Sequence, residues 1–356
     1  MTCVVAMSGG VDSSVAAALL AAERGADQIV GIALRLYSVP DDAVRSGKTC
    51  CAPDDLHDAR RAAAALGIRF FVYDAQERFR REVIDDFIDS YAAGRTPNPC
   101  VKCNDEVKFD WLLDRAGKLG AGRLATGHYA RIERGPDGRL RLLRARDASK
   151  DQSYFLHGLT EGQLERVEFP LGDLTKAEVR RLAREKGLPN ADKPESMEVC
   201  FVAGQPVSDF LEAHGVPRAQ GQIVDLEGRV LGKHDGVHRF TVGQRRGLGI
   251  AGPLPLYVAS LDAAHQTVVV GTRDQAARRE FEATACSWVN DAPAAGTRCE
   301  VQIRHRGKPL EARVEPGAQG RVRVELVEPA VGVAPGQSAV FYAGDVVLGG
   351  ARIALR

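Results

Sequence analysis

Apolar positions in the first half of the chain fall into short continuous runs that alternate with stretches of helical spacing. Val4–Met7 reads as a buried strand, Val11–Arg24 as an Ala-rich helix, and Ile29–Leu36 as a second strand. Leu56–Leu66 carries apolar residues at 56, 59, 62, 63 and 66, which places them on one helical face. Phe70–Tyr73 reads as a strand, Phe79–Tyr91 and Val107–Leu119 as helices, and Arg123–Thr126 as a further strand. Strands that alternate with helices in this way predict an α/β domain, a mostly parallel sheet covered by helices on both faces. A helix also starts at Thr175, where Thr175 and Glu178 fit a capping box and Gly187 suits the C-terminal end.

From about residue 205 the helical period fades and glycine becomes frequent. Gly221–Ile250 and Tyr257–Thr272 read as short strands with turns, a small linking domain. Beyond Phe281 the pattern is nearly all β, with strands expected at Cys299–Arg306, Glu311–Val314, Arg321–Leu326, Ser338–Tyr342 and Val346–Ala354. Regular short strands between Gly and Pro turns predict a small barrel. The chain is therefore expected to divide at 1–205, 206–276 and 277–356. No internal repeat or low-complexity tract is visible.

Composition narrows the function classes. The 356 residues have a net charge of +1, so no global field attracts nucleic acid, and such a partner needs local Lys and Arg clusters. No run of about 18 apolar residues exists to span a membrane. The N-terminus enters a strand at once, without a basic region followed by a long apolar one, so a cytoplasmic protein is expected. In that compartment the eight cysteines call for chemistry, metal or packing rather than a disulfide framework.

Ser8-Gly9-Gly10-Val11-Asp12-Ser13-Ser14 follows the first strand and opens the first helix. Backbone N–H groups and the helix dipole hold anions at such a junction. Gly9 and Gly10 let the backbone approach a phosphate, and Ser8, Ser13 and Ser14 offer hydroxyls. Asp12 is a poor neighbour for phosphate unless a cation stands between them, which predicts Mg²⁺ at Asp12. The loop lacks the Gly-Lys-Ser ending of a Walker loop and resembles that of the PP-loop ATP pyrophosphatases, which adenylate a substrate and release pyrophosphate.

Two thiols lie three residues apart in Asn98-Pro99-Cys100-Val101-Lys102-Cys103-Asn104, and Cys200 lies far along the chain. In a reducing compartment such a pair points to redox chemistry or metal. Taken with SGGVDSS at 8, Gly94–Pro99, Ala125–Tyr129, Lys150–Tyr154, Cys200-Phe201, Thr241–Leu248 and Pro335–Ser338, the chain resembles the bacterial tRNA-specific 2-thiouridylase family from end to end. The resemblance implies a PP-loop, Rossmann-type catalytic domain, a central domain and a tRNA-contacting C-terminal β-barrel. It implies 2-thiolation of the wobble uridine in tRNAs for Lys, Glu and Gln, with ATP activating the C2 oxygen as an adenylate.

By motif position the resemblance makes Cys103 the nucleophile and Cys200 the carrier of an incoming persulfide. It puts Ala6, Met7, Ser8, Gly9, Gly10, Val11, Asp12, Ser13, Leu34 and Gly127 at ATP. It puts Asn98, Pro99 and Cys100 at the target base, and His128, Lys150, Asp151, Gln152, Arg304, His305 and Gln337 at tRNA. The implied partners are tRNA and a sulfur donor, either a cysteine desulfurase or a relay protein. One departure stands out: many family members carry Asp where this chain has Cys100. Cys100, Cys103 and Cys200 could then ligate a [4Fe-4S] cluster with one iron site open. Cluster chemistry and a cluster-free persulfide with a transient Cys103–Cys200 disulfide both stay open at this point.

Cys50 and Cys51, beside Lys48, read as a neutral loop, and Cys3, Cys286 and Cys299 as packing residues. Arg304–Lys308 is a basic knot at a barrel edge, read as an RNA contact, whereas Arg239, Arg245 and Arg246 read either as phosphate grips or as solvated loop charges. Asp54, Asp55 and Asp58 read as helix-start carboxylates rather than a metal cluster. Two other functions compete: an amidating PP-loop ligase, against which the motif cysteines argue, and a non-catalytic tRNA-binding iron–sulfur scaffold, against which the intact loop argues.

Overall fold

The computed structural model describes residues 2–37, 53–195, 199–202, 204–250 and 253–354. They divide into two compact units, one within 1–83, 100–204 and 345–347, the other within 84–99, 205–344 and 348–356.

The first unit is built on strands β1 (Cys3–Ala6), β2 (Ile29–Arg35), β3 (Arg69–Asp74), β4 (Arg123–Thr126) and β7 (Val167–Glu168), in the order β3-β2-β1-β4-β7. Every pairing in this sheet is parallel. Val5, Ile29, Ile32 and Leu124 are fully buried in it. Each such side chain removed from water contributes roughly 1.5–3 kcal/mol. Helix α1 (Val11–Arg24) is alanine-rich, so its backbone approaches closely. Ala17 and Leu20 meet the sheet together with Ala59, Ala62 and Ala63 of α2 (Pro53–Ala65). Its other side, Val11, Val15 and Ala18, meets Val179 and Ala183 of α3 (Lys176–Glu185). The expected capping box is present at α3: Thr175 Oγ1 accepts from Glu178 N, and Glu178 Oε2 accepts from Thr175 N at 2.7 Å.

The helix expected at Val107–Leu119 begins earlier and is not uniform. Pro99–Cys103 is one α-helical turn, Asn104–Leu112 is π-helical, and Leu113–Lys118 returns to α. Such wide turns are frequent at functional sites. A similar π stretch, Arg80–Ile84, interrupts the helical residues 76–92. The sequence pattern also passed over the hairpin β5 (Arg131–Arg134) and β6 (Leu140–Leu143), whose charged residues mask its period.

The second unit holds a four-stranded sheet of β8 (Gly221–Val224), β9 (Val230–His234), β10 (Tyr257–Asp262) and β11 (Thr267–Gly271), ordered β10-β11-β8-β9. The remaining strands are β12 (Ala277–Trp288), β13 (Thr297–Gln302), β14 (Leu310–Pro316), β15 (Val322–Val331), β16 (Ser338–Ala343) and β17 (Val346–Ile353). They close into the expected barrel through β12–β17 pairing. In β15, Val322, Val324 and Leu326 face the core while Arg323, Glu325 and Val327 are exposed, the period-2 alternation of a barrel wall.

Two expectations need correction. No strand continues through 241–250, because Gly243, Gly247 and Gly249 all take positive φ. The strand expected to reach Arg306 stops at Gln302, since Arg306 has φ +58° and Gly307 N donates to Arg304 O in a tight turn. No helix among the described residues is long and apolar enough to cross a membrane. Lys48, Cys50 and Cys51 lie outside the described residues.

Candidate functional site

The strand order reverses between β1 and β4, and a ligand crevice in an open parallel sheet lies at that point, outside the carboxyl ends of the strands. Ala6 and Thr126 end the two strands in register, so Ser8–Gly10 and Gly127-His128 leave the sheet side by side. A Cβ at Gly127 would stand 2.6 Å from Ser13 N and 2.8 Å from Asp12 C. Glycine there lets the end of β4 touch the first turn of α1. Gly9 takes φ +80°, and a Cβ on it would meet the Asp55 carbonyl oxygen. Gly10 has an ordinary φ of −80°, with only Ser8 Oγ at 3.6 Å from a Cβ, so open space lies before its backbone.

Side chains brace this loop from within. Ser13 Oγ accepts from Ser8 N at 3.1 Å and donates to Gly10 O at 3.1 Å. Asn190, buried to 3 % exposure, donates from Nδ2 to Gly9 O and Ser14 Oγ, both at 2.9 Å. The loop is thus rigid, with Ser8 left exposed to meet a ligand. Met7 is buried, and Leu34 lies half-buried near the end of β2.

The cation that Asp12 calls for is supplied by the chain. Lys176 Nζ lies 2.7 and 2.8 Å from the two Asp12 oxygens, and the Tyr129 hydroxyl donates to Asp12 Oδ1 at 2.9 Å. The same ammonium reaches Glu195 at 2.8 Å, and Glu195 also accepts from Lys150 at 2.7 Å. Burial alone would raise the Glu195 carboxyl, but the hydrogen bonds from Lys150 and Lys176 outweigh it and hold it at about 2. Both Asp12 oxygens thus have Lys176 as a partner. Asp54 and Asp55 do sit in the first turn of α2, but Asp55 and Asp58 bind Lys193 at 2.5 and 2.6 Å. Those two bonds hold the Lys193 amine raised despite its burial.

The cysteines differ in setting. Cys103 is buried where the α turn passes into the π helix, Cys100 is exposed, and Cys200 is half-buried. Asn104 Nδ2 donates to Phe155 O at 2.9 Å, and Lys108 donates to Asn104 Oδ1, which fixes the turn after Cys103. Cys200 O accepts from the Tyr37 hydroxyl at 2.6 Å, two residues past the end of β2. Cys3, Cys286 and Cys299 are free thiols. Burial pushes Cys3, Cys286 and Cys299 up to about 12, which leaves them inert packing residues. Among the described residues no three His, Cys, Asp or Glu side chains gather as a metal site.

Several residues expected at tRNA have intramolecular duties. His128 Nδ1 lies 2.7 Å from Thr126 Oγ1, its ring meets those of Phe109 and Phe169, which also meet each other, and burial, helped by Lys108, holds its pKa well below the usual value. Asp151 accepts from Ala145 N, Ser153 N and Ser153 Oγ, and Gln152 Oε1 accepts from Tyr129 N at 2.9 Å. Within the second unit, Gln337 Nε2 donates to Thr96 O at 2.9 Å and Pro97 O at 3.3 Å, and Thr96 N donates to Pro335 O. Gln337 thereby fixes the stretch that leads into Asn98 and Pro99. Arg239 binds Glu212 beside His238. Arg245, Arg246, Arg304, Arg306 and Lys308 are exposed, with His305 half-exposed among the last three.

Sequence reasoning missed Lys176, Glu195, Asn190, Lys193 and Tyr37. Lys176 left a signal: a cation in the first turn of a helix opposes the dipole and needs a local reason.

Comparison with known proteins bears on the same regions. Residues 1–204 match the model of the tRNA methyl transferase HUP domain, 208–272 that of the tRNA methyl transferase PRC-barrel domain, and 278–353 that of the aminomethyltransferase beta-barrel domain. The tRNA-specific 2-thiouridylase MnmA of Geobacter metallireducens is 51% identical over 98% of this chain and 96% of its own. That of Acidothermus cellulolyticus is 49% identical over 99% of this chain and 98% of its own. Among solved structures, the U34-tRNA thiolase NcsA from Methanococcus maripaludis with its [4Fe-4S] cluster is 17% identical, with a TM-score of 0.36, over 60% of this chain and 66% of that one. A likeness that loose bears on neither cluster nor mechanism here. The domain models carry methyl transfer in their descriptions, but relatives half identical from end to end decide the matter: the chain belongs to the tRNA-specific 2-thiouridylase family.

Proposed function

We propose that this protein is an ATP-dependent tRNA-uridine 2-sulfurtransferase acting on the wobble uridine of tRNAs for Lys, Glu and Gln. The observation that carries the reading is the placement of two functions on neighbouring strands. The braced phosphate loop leaves the carboxyl end of β1, and the Cys200 backbone is bonded at the carboxyl end of β2. An activating nucleotide and a sulfur-bearing thiol are wanted side by side in such a reaction.

The C2 oxygen of uridine is a poor leaving group. Its attack on the α-phosphorus of ATP expels pyrophosphate and leaves an O-adenylate, held by the loop backbone and by Ser8 at the N-terminus of α1. Mg²⁺ carried by the nucleotide neutralises charge on the phosphates. A persulfide on Cys200, Cys–S–S⁻, then attacks C2, and AMP departs with the former C2 oxygen. The Cys103 thiolate attacks Cys200 Sγ, which forms a Cys103–Cys200 disulfide and leaves the thiocarbonyl on the base. A dithiol reductant restores both thiols. The sulfur comes from a cysteine desulfurase or a relay protein. The route needs no cluster. Exposed Arg304, Arg306 and Lys308 supply phosphate contacts.

Incubation with ATP, Mg²⁺, a persulfide donor and unmodified tRNA is expected to yield 2-thiouridine by nucleoside mass analysis. Cys103→Ser and Cys200→Ser variants are expected to yield none. Product formed only after anaerobic iron–sulfur loading would reject the persulfide route; no product under either condition would reject the activity.

A further inference from the structure

We propose that Tyr37 is the positioning residue for Cys200. The proposal rests on the reading of Cys200 as the sulfur carrier. The Tyr37 phenol donates to the Cys200 carbonyl oxygen at 2.6 Å, across 163 residues of chain. Its ring packs on Phe79 at 6.2 Å between centroids, and Phe79 meets Phe201 edge-on at 5.8 Å. Phe79 and Phe201 are both buried. Residues 200 and 201 are therefore fixed twice, by a hydrogen bond on the carbonyl of one and by a ring on the side chain of the other.

The anchor is rigid because Tyr37 stands two residues beyond β2, an interior strand paired on both sides. With its carbonyl and the following side chain both held, the backbone that bears the Cys200 Cα–Cβ bond is restrained. The half-buried thiol stays open to a donor while its aim is restricted. A terminal sulfur that must reach C2 of an adenylated base gains most from such aim, since displacement by about 1 Å can cost up to 10²-fold in rate.

Tyr37→Phe removes the hydroxyl and keeps the ring against Phe79. Three quantities are measured on the full-length variant: tRNA-dependent pyrophosphate release, single-turnover sulfur transfer from persulfide-loaded enzyme, and alkylation of Cys200 by iodoacetamide followed by peptide mass. The expected result is pyrophosphate release and ATP KM within about twofold of wild type, sulfur transfer slowed about 5- to 10-fold, and faster alkylation of Cys200 but not Cys100. Tyr37→Ala, which also removes the ring, is expected to slow transfer further. Wild-type transfer in Tyr37→Phe overturns the proposal. So does a parallel loss of pyrophosphate release, which would mark a general fold defect. If wild-type enzyme makes no 2-thiouridine at all, the functional reading fails, and unchanged Cys200 alkylation in Tyr37→Phe then separately rejects the positioning role.

Discussion

Lys176 Nζ lies 2.7 and 2.8 Å from the two carboxylate oxygens of Asp12, inside the first turn of the helix that the phosphate loop opens. The pair removes a negative charge from the place where phosphates are to bind. Lys176→Met leaves Asp12 with the Tyr129 hydroxyl and uncompensated charge. A charge-assisted hydrogen bond contributes about 1.5–3 kcal/mol, so ATP KM is expected to rise by roughly tenfold or more. Adding Asp12→Asn to that variant should recover much of the loss, because the two changes together restore neutrality. Pyrophosphate-release kinetics on both variants checks this; an unchanged KM in Lys176→Met would sink it.

The glycines of the site separate by what a methyl group would meet. At Gly127 a Cβ would stand 2.6–2.9 Å from backbone atoms of Asp12 and Ser13, which cannot step aside without moving α1. At Gly10 the nearest atom is a serine hydroxyl at 3.6 Å and φ is ordinary. Gly127→Ala is expected to lower the melting temperature and abolish ATP-dependent pyrophosphate release. Gly10→Ala is expected to fold with wild-type stability and weaken ATP alone, because it narrows the approach to the loop backbone. Equal melting temperatures for the two variants would contradict this.

The sequence pattern located the parallel sheet, the phosphate loop, the barrel and the α3 capping box, because each rests on local spacing. It read Mg²⁺ at Asp12 and gave no sign of the ammonium that stands there. The identity of that cation is a tertiary fact: Lys176 is 164 residues away and reaches Asp12 only once α3 packs on α1. Asn190 and Lys193 were illegible for the same reason. The hairpin β5–β6 escaped because each strand has only four residues and β5 sets three charges around a single apolar residue, Ile132. Gln337 was placed at tRNA by the family resemblance alone; its bonds to Thr96 O and Pro97 O join positions more than 200 residues apart, and no local pattern shows them.

That last contrast is testable by salt. Gln337 donates to two main-chain carbonyls, so Gln337→Glu replaces a donor with a charged acceptor and should disrupt 96–98 more than Gln337→Ala does. Both are expected to lower the rate of thiolation while leaving the slope of log tRNA affinity against log salt unchanged. Arg304→Ala removes an exposed cation, and the slope is expected to shrink by about 1. Filter binding at several salt concentrations distinguishes them; a reduced slope in Gln337→Ala would return Gln337 to the RNA surface.

Two buried titratable groups oppose one another in the dependence of stability on pH. Burial lowers His157 to about 4, and a bond to its own backbone offsets only part of that shift. The unfolded chain takes up a proton there below about 6.5 and the folded chain does not, so stability falls as pH drops from about 6.5 toward 4. Asp105 runs the other way: burial, with Glu106 adding to it, raises its carboxyl to about 7 against the pull of Lys102. Its folded form keeps a proton that the unfolded form releases above about 3.9, so its contribution is present at low pH and is lost as pH rises to 7. Each group alone can change stability by at most about 1.4 kcal/mol per pH unit within its window. His157→Leu is therefore expected to reduce the loss of stability between pH 6.5 and 5. Asp105→Asn is expected to enlarge that loss while raising stability at pH 8, where the buried carboxylate would otherwise be charged. Urea midpoints at pH 5, 6.5 and 8 for the three proteins decide both signs, and a flatter profile in Asp105→Asn would refute the assignment.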